Sequence, residues 1–249
     1  MCTKSKLFQK IAGQEAKDLD NNFNAQTIES KICPDCYVAA IEVEFHQNNG
    51  HVKYVENSIT NYDGRIKMDK ILRNKDYPII AIILESPHIN EYKNNESISP
   101  LKNPLSANTL NDFFIRNFYN YVTAAYSGGA IFSRNVVDIE NGIYRIKLVN
   151  AIQFQCSLVR ELKNAVNQDL KNRIVEQCLN ETLFQNDFIK RIQDATIIIN
   201  CCTGQKDGQI DGLQKQVQEI IDNNYSTKLR LYGYHPSSLH FIKGFKKVL

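Results

Sequence analysis

Four short apolar segments of the chain each run into residues able to do chemistry. Glu85-Ser86-Pro87-His88 follows the run Ile79–Leu84, Asn150 sits within IKLVNAIQF, and Thr203-Gly204 follows TIIINCC. His235-Pro236-Ser237-Ser238-Leu239-His240 follows LRLYGY, so that three of the five histidines lie where apolar segments stop. A carboxylate offers negative charge and an imidazole offers a donor, which suits a reaction that separates charge as a bond breaks. An asparagine in a buried segment is ordinarily a satisfied core amide, so Asn150 takes its meaning from this company.

The elements that must position these residues follow from periodicity. Ile79–Glu85, Ile146–Phe154, Thr196–Cys202 and Leu229–Tyr234 are short and mostly apolar, as strands covered on both faces are. Helical spacing fills the gaps: from Ser106 through FFIRNFYNYV, from about Asp169 to Ile192, and from about Gln209 to Asp222. Strands alternating with helices predict an α/β fold, a three-layer α/β/α arrangement around a central four-stranded, mainly parallel sheet. Upstream, residues 37–45 and 51–59 flank Gln47-Asn48-Asn49-Gly50 and predict a β-hairpin. A helix over 64–74 is stopped by Tyr77-Pro78. The expectation is a single domain over 1–249, with 77–249 as core and 1–76 as an N-terminal extension carrying the hairpin. Open parallel sheets bind ligands outside the carboxyl ends of their strands, where all four polar sites fall.

Composition narrows the classes. With 43% hydrophobic and 23% charged residues the chain is neither disordered nor fibrous. A net charge of +3 is too near neutrality to name a nucleic-acid partner, so any basic footprint must be local. The longest apolar run, Ile79–Leu84, is far below the roughly 20 residues a bilayer crossing needs. The first residues lack the apolar stretch of a secretion signal. Seven cysteines, including the adjacent Cys201-Cys202, predict reduced thiols and a cytoplasmic location, with that pair packed at a strand end. Cys33-Pro34-Asp35-Cys36 is a lone C-x-x-C for which metal, redox pair and coincidence stay open. His46 and His51 complete a zinc set only on paper. At about 3.3 Å per extended residue, Cys36 and the hairpin turn lie roughly 30 Å apart, too far for one zinc.

The order ESPH, VNAIQF, a buried IIIN strand and HPSSL resembles the uracil-DNA glycosylase superfamily, over roughly residues 79 to 241. LESPHINEY followed by KNPLSANTLNDFF is most similar to its iron-sulfur branch. The resemblance implies a monofunctional DNA glycosylase, a hydrolase acting as a monomer on DNA. It would flip a nonstandard or modified base and hydrolyse its N-glycosidic bond, leaving an abasic site, in base-excision repair or antiphage defence. On this resemblance Glu85 positions or activates water and His235 donates to the leaving base. Asn150 reads the base, with Ser86, Pro87, His88 and Leu105 around it. Leu239 is the wedge, Pro236, Ser237 and Ser238 grip phosphates, and Lys243 with Lys246 and Lys247 adds a basic edge. The bland alternative for these lysines is a solvated C-terminal helix face.

The chemistry supplies a reason for each residue type. Breaking the bond leaves positive charge on the sugar and negative charge on the base, which a carboxylate and a donor respectively stabilise. Extruding the base from a duplex costs a few kcal/mol, roughly, which a wedge helps to offset. Two departures blur the substrate: Ser86 stands where the classical uracil enzymes have Asp, and Leu105 where most members stack a Phe. The branch also holds a [4Fe-4S] cluster, and Cys33, Cys36, Cys156 and Cys178 have its ligand order. The gap between Cys156 and Cys178 is longer than the branch's, however, and no Arg-Pro-Pro follows Cys156; buried thiols are the alternative. From other classes, a noncatalytic sensor of modified nucleotides or DNA is favoured by the missing Asp. A small-molecule hydrolase using Ser237 and His240 lacks the G-x-S-x-G elbow.

Overall fold

The hairpin is the first part of the sheet. In the computed structural model, which describes residues 3–19, 32–46, 49–55, 73–87, 92–93, 96–97, 139–156, 164–206, 209–234 and 246–248, β1 (Cys36–His46) pairs antiparallel with β2 (Asn49–Tyr54). The apolar segments follow as β3 (Ile79–Leu84), β6 (Gly142–Asn150), β7 (Ile197–Asn200) and β10 (Leu229–Tyr232). Lys246–Lys247 form β11. Two small ladders lie apart from this sheet, β4 (Tyr92–Lys93) with β5 (Glu96–Ser97) and β8 (Gln205–Lys206) with β9 (Gln209–Ile210).

The main sheet is seven-stranded, in the order β11-β10-β7-β3-β6-β1-β2. Its inner four strands are mutually parallel, as the apolar runs predict, while β11 and the hairpin add antiparallel edges. This corrects the expectation of a plain four-stranded sheet with the hairpin as a separate elaboration. A two-stranded hairpin is marginal by itself, and β1 carries a buried set, Ala39, Ile41 and Val43, that needs a neighbour. β6 provides it by starting at Gly142, earlier than the predicted 146, which places Ile41 opposite Tyr144 and Val43 opposite Gly142. The same strand stops at Asn150 rather than 154. There the chain turns, with the Ala151 and Ile152 amides donating to the carbonyls of Leu84 and Glu85.

Among the described residues, four helices cover one face: α1 (Lys4–Leu19), α2 (Asn164–Asn180), α3 (Thr182–Ile192) and α4 (Gly212–Tyr225). Ile79, Ala81, Ile83 and Ile198 pack against them. The alternate residues Ile80, Ile82, Ile197 and Ile199 are buried on the second face, in a cluster that contains no residue of these helices. A second helical layer, the helix from Ser106 and nearly all of the predicted helix over 64–74 fall outside the described residues.

Periodicity predicts one helix over 169–192, whereas two are present. Glu181 is extended, at φ −87° and ψ 122°, and redirects the chain so that Phe184, Phe188 and Ile192 reach the core at every fourth position. The first helix is absent from the sequence-based expectation. Its buried stripe is Phe8, Ala12 and Ala16, with Phe8 stacked on Phe154 at 4.7 Å between centroids. Ion pairs Lys4–Asp187 and Arg173–Glu15 fix it to α3 and α2. Among the described residues, no helix is long and apolar enough to cross a membrane.

Candidate functional site

Strand order determines where the site sits. The chain passes from β3 to β6 on one side and then to β7 and β10 on the other, so the order reverses between β3 and β7. Such a reversal opens a crevice at the carboxyl ends of the strands, because the connections leave in opposite directions. Glu85 and Ser86 leave β3 at this point, and Cys201, Cys202 and Thr203 leave β7.

Glu85 is 2% exposed, and a carboxylate so placed is tolerable only if paired and hydrogen-bonded. It is both. Lys171 extends from α2 and donates from Nζ to Oε1 at 2.5 Å. Thr203 donates its hydroxyl to Oε1 at 3.0 Å and its amide to Oε2 at 3.2 Å. Pro87 is buried, the Ser86 hydroxyl oxygen is buried without a hydrogen-bond partner, and the Cys156 thiol donates to the Phe154 carbonyl at 3.4 Å.

Asn150 ends the neighbouring strand, in register with Leu84. It is 1% exposed, and its Oδ1 is buried without a hydrogen-bond partner. The two polar residues therefore share one edge of the sheet. By the pleat, Asn150 leaves on the second face with Leu148, whereas Glu85 turns to the helix side, where Lys171 meets it. A ligand reaching both must lie across the rim.

A third buried group ties β7 to β10 at the same edge. Gln214, fully buried in α4, donates from Nε2 to the carbonyls of Asn200 (2.9 Å) and Gly233 (2.7 Å). Asn200 returns two bonds, to the Gln214 carbonyl and to Gln218 Oε1. The chain entering His235 thus departs beside the end of β7, with the Gly233 amide donating to Asn200 at 3.0 Å. His88, Leu105, His235, Pro236, Ser237, Ser238, Leu239 and Lys243 lie outside the described residues. Lys246 and Lys247 belong to the edge strand β11 rather than to a helix face. A cavity of about 750 Å³ near Arg73, Tyr77, Arg145 and Asp194 opens at the opposite, amino edge and is separate from Glu85.

Three of the four cysteines nominated for a cluster pack on different faces of the sheet. Cys156 and Cys178 belong to the helix-face core, while Cys36 packs against the second-face cluster. Among the described residues no group of three His, Cys, Asp or Glu side chains is arranged to hold a metal. The Cys33–Cys36 segment has a visible packing role. The Cys33 amide donates to the Gln153 carbonyl, and Arg191 joins Asp35 at 2.7 Å to the Ala151 carbonyl at 3.0 Å. Burial pushes the Asp35 carboxyl up against the pull of Arg191.

Burial also raises the thiols of Cys156, Cys178, Cys201 and Cys202, that of Cys156 to about 12. Thiolate is the reactive form, so these four should resist alkylation at pH 8 in the folded chain and react once urea unfolds it. Peptide mass spectrometry reads the difference, and rapid native labelling of Cys156 would contradict the burial. The folded state keeps protons that the unfolded chain releases from about pH 9.0. The thiols' contribution to stability is therefore complete below that pH and is lost as pH rises through the folded values, about 12 for Cys156.

Fold and site together define an α/β chain with a polar constellation at the carboxyl edge of its parallel strands. Comparison with protein-family models, curated proteins and solved structures gives no match to this chain. Sequence reasoning missed the roles of Lys171, Thr203 and Gln214. A signal existed for the first: Lys171, Val175 and Cys178 follow helical spacing, which places a cation on a core-facing stripe.

Proposed function

We propose that the chain is a DNA glycosylase that flips a nonstandard or modified base and hydrolyses its N-glycosidic bond. The observation that carries this reading is Asn150, a buried amide with an unpartnered oxygen, one strand away from a buried carboxylate at the switch point. An orphaned buried acceptor costs about 1–3 kcal/mol, and a base presenting a donor would relieve it. Water adds through its oxygen to C1′, and the electron pair of the C1′–N bond leaves on the base. The water proton passes to the Glu85 carboxylate, while His235, on the family resemblance, donates to the departing base. The motif His235–Leu239 would supply the phosphate contacts and wedge by the same resemblance.

Glu85 is already ion-paired with Lys171, which favours a second reading: a noncatalytic sensor whose carboxylate only shapes the pocket. A panel of oligonucleotides carrying uracil, thymine mismatches, deaminated purines and hypermodified cytosines separates the two. The proposed enzyme leaves alkali-labile abasic sites in at least one duplex or single strand. Binding to such DNA with no alkali-labile product would select the sensor.

A further inference from the structure

We infer that Lys171 is a positioning residue for base release, holding Glu85 ionised and fixed at the switch point. This rests on the glycosylase reading and adds a residue to it. Lys171 is 15% exposed along its side chain and Glu85 3%, so the ammonium is screened little by water. Its bond to Oε1 runs from α2, while Thr203 bonds both carboxylate oxygens from the loop after β7. Two separate elements thereby constrain the carboxylate. Among the described residues, the titratable groups beside this pair include the thiols of Cys156, Cys201 and Cys202, all kept protonated by burial, and Lys171 forms an ion pair with Glu85. A carboxyl group taken from water into this setting without that cation favours its neutral form, which neither accepts a proton from water nor stabilises a sugar cation.

The test compares the full chain with Lys171→Met and Lys171→Arg. Two readouts are followed: the ¹³C shift of the Glu85 side-chain carboxyl as pH varies, located with Glu85→Gln, and the pH profile of kcat on the best oligonucleotide. In K171M the carboxyl midpoint should rise by about 1–3 pH units and the acid limb of kcat should rise with it, at nearly constant KM. In K171R both should stay close to the wild type. An unmoved midpoint in K171M, with wild-type base release intact, overturns the role of Lys171 alone. A midpoint that moves in a chain whose wild type releases no base from any oligonucleotide overturns the glycosylase reading and the positioning role that depends on it. Thermal melts keep the comparison to folded protein, and K171R provides a folded reference if K171M is unstable.

Discussion

Glu85→Gln should reduce base release by about 100- to 1,000-fold, the loss typical of removing one well-placed electrostatic group from a transition state. It should also destabilise the fold. Lys171 loses its anionic partner, and breaking a buried pair from one side costs about 3–5 kcal/mol, with the lower figure apt because Lys171 is 15% exposed. Adding Lys171→Met removes the stranded ammonium, so the double variant should recover most of that stability and none of the activity. Urea midpoints and alkali-cleavage assays report the two quantities independently. Base release restored in the double variant would take Glu85 out of the chemistry. Equal stability of the single variant and the wild type would mean that the pair is solvated.

Gly204→Ala should unfold or remodel the loop that presents Thr203. Gly204 has φ of +130°, a region L side chains rarely adopt, and an added Cβ would lie 2.1 Å from the Asp211 carbonyl oxygen. The obstruction is backbone at the start of α4, followed by the Gln214 amide, which donates to the Thr203 carbonyl at 3.1 Å. Neither can rotate aside like a side chain. Strain and overpacking together predict a loss of about 2–5 kcal/mol, read as a lower urea midpoint. Because Thr203 bonds both oxygens of Glu85, base release should fall even in the fraction that remains folded. A variant as stable and active as wild type would show that the approach of Gly204 to Asp211 is not obligatory.

The parallel strands were legible because they are buried on both faces and so are written as continuous apolar runs such as IIAIIL. The hairpin was legible from its turn chemistry. Its attachment was not, since pairing of β1 with β6 joins residues about a hundred positions apart and leaves no local trace. The first helix escaped because two of its three buried stripe positions are alanine, which carries little periodic signal. At the site, polar residue types at strand ends pointed to Glu85 and Asn150. That Glu85 meets Lys171 and Thr203 depends on helix packing, and that the Asn150 side-chain oxygen lacks a partner depends on every neighbour at once. For the cysteines, spacing gave the order of a ligand set but not the side of the sheet on which each thiol packs.

The return of the chain to β10 has a consequence for the edge of the sheet. Gly233 is bonded to Asn200 and Gln214 just before the His235 motif. Beyond it, Lys246 and Lys247 pair with Tyr232 and Leu231, and the Val248 amide donates to the Arg230 carbonyl. Both feet of the span 235–245 therefore stand on one strand. Closing a chain between two paired strands costs an entropy that grows only slowly with the length of chain between them, so the pairing of β11 with β10 tolerates the sequence distance that separates them.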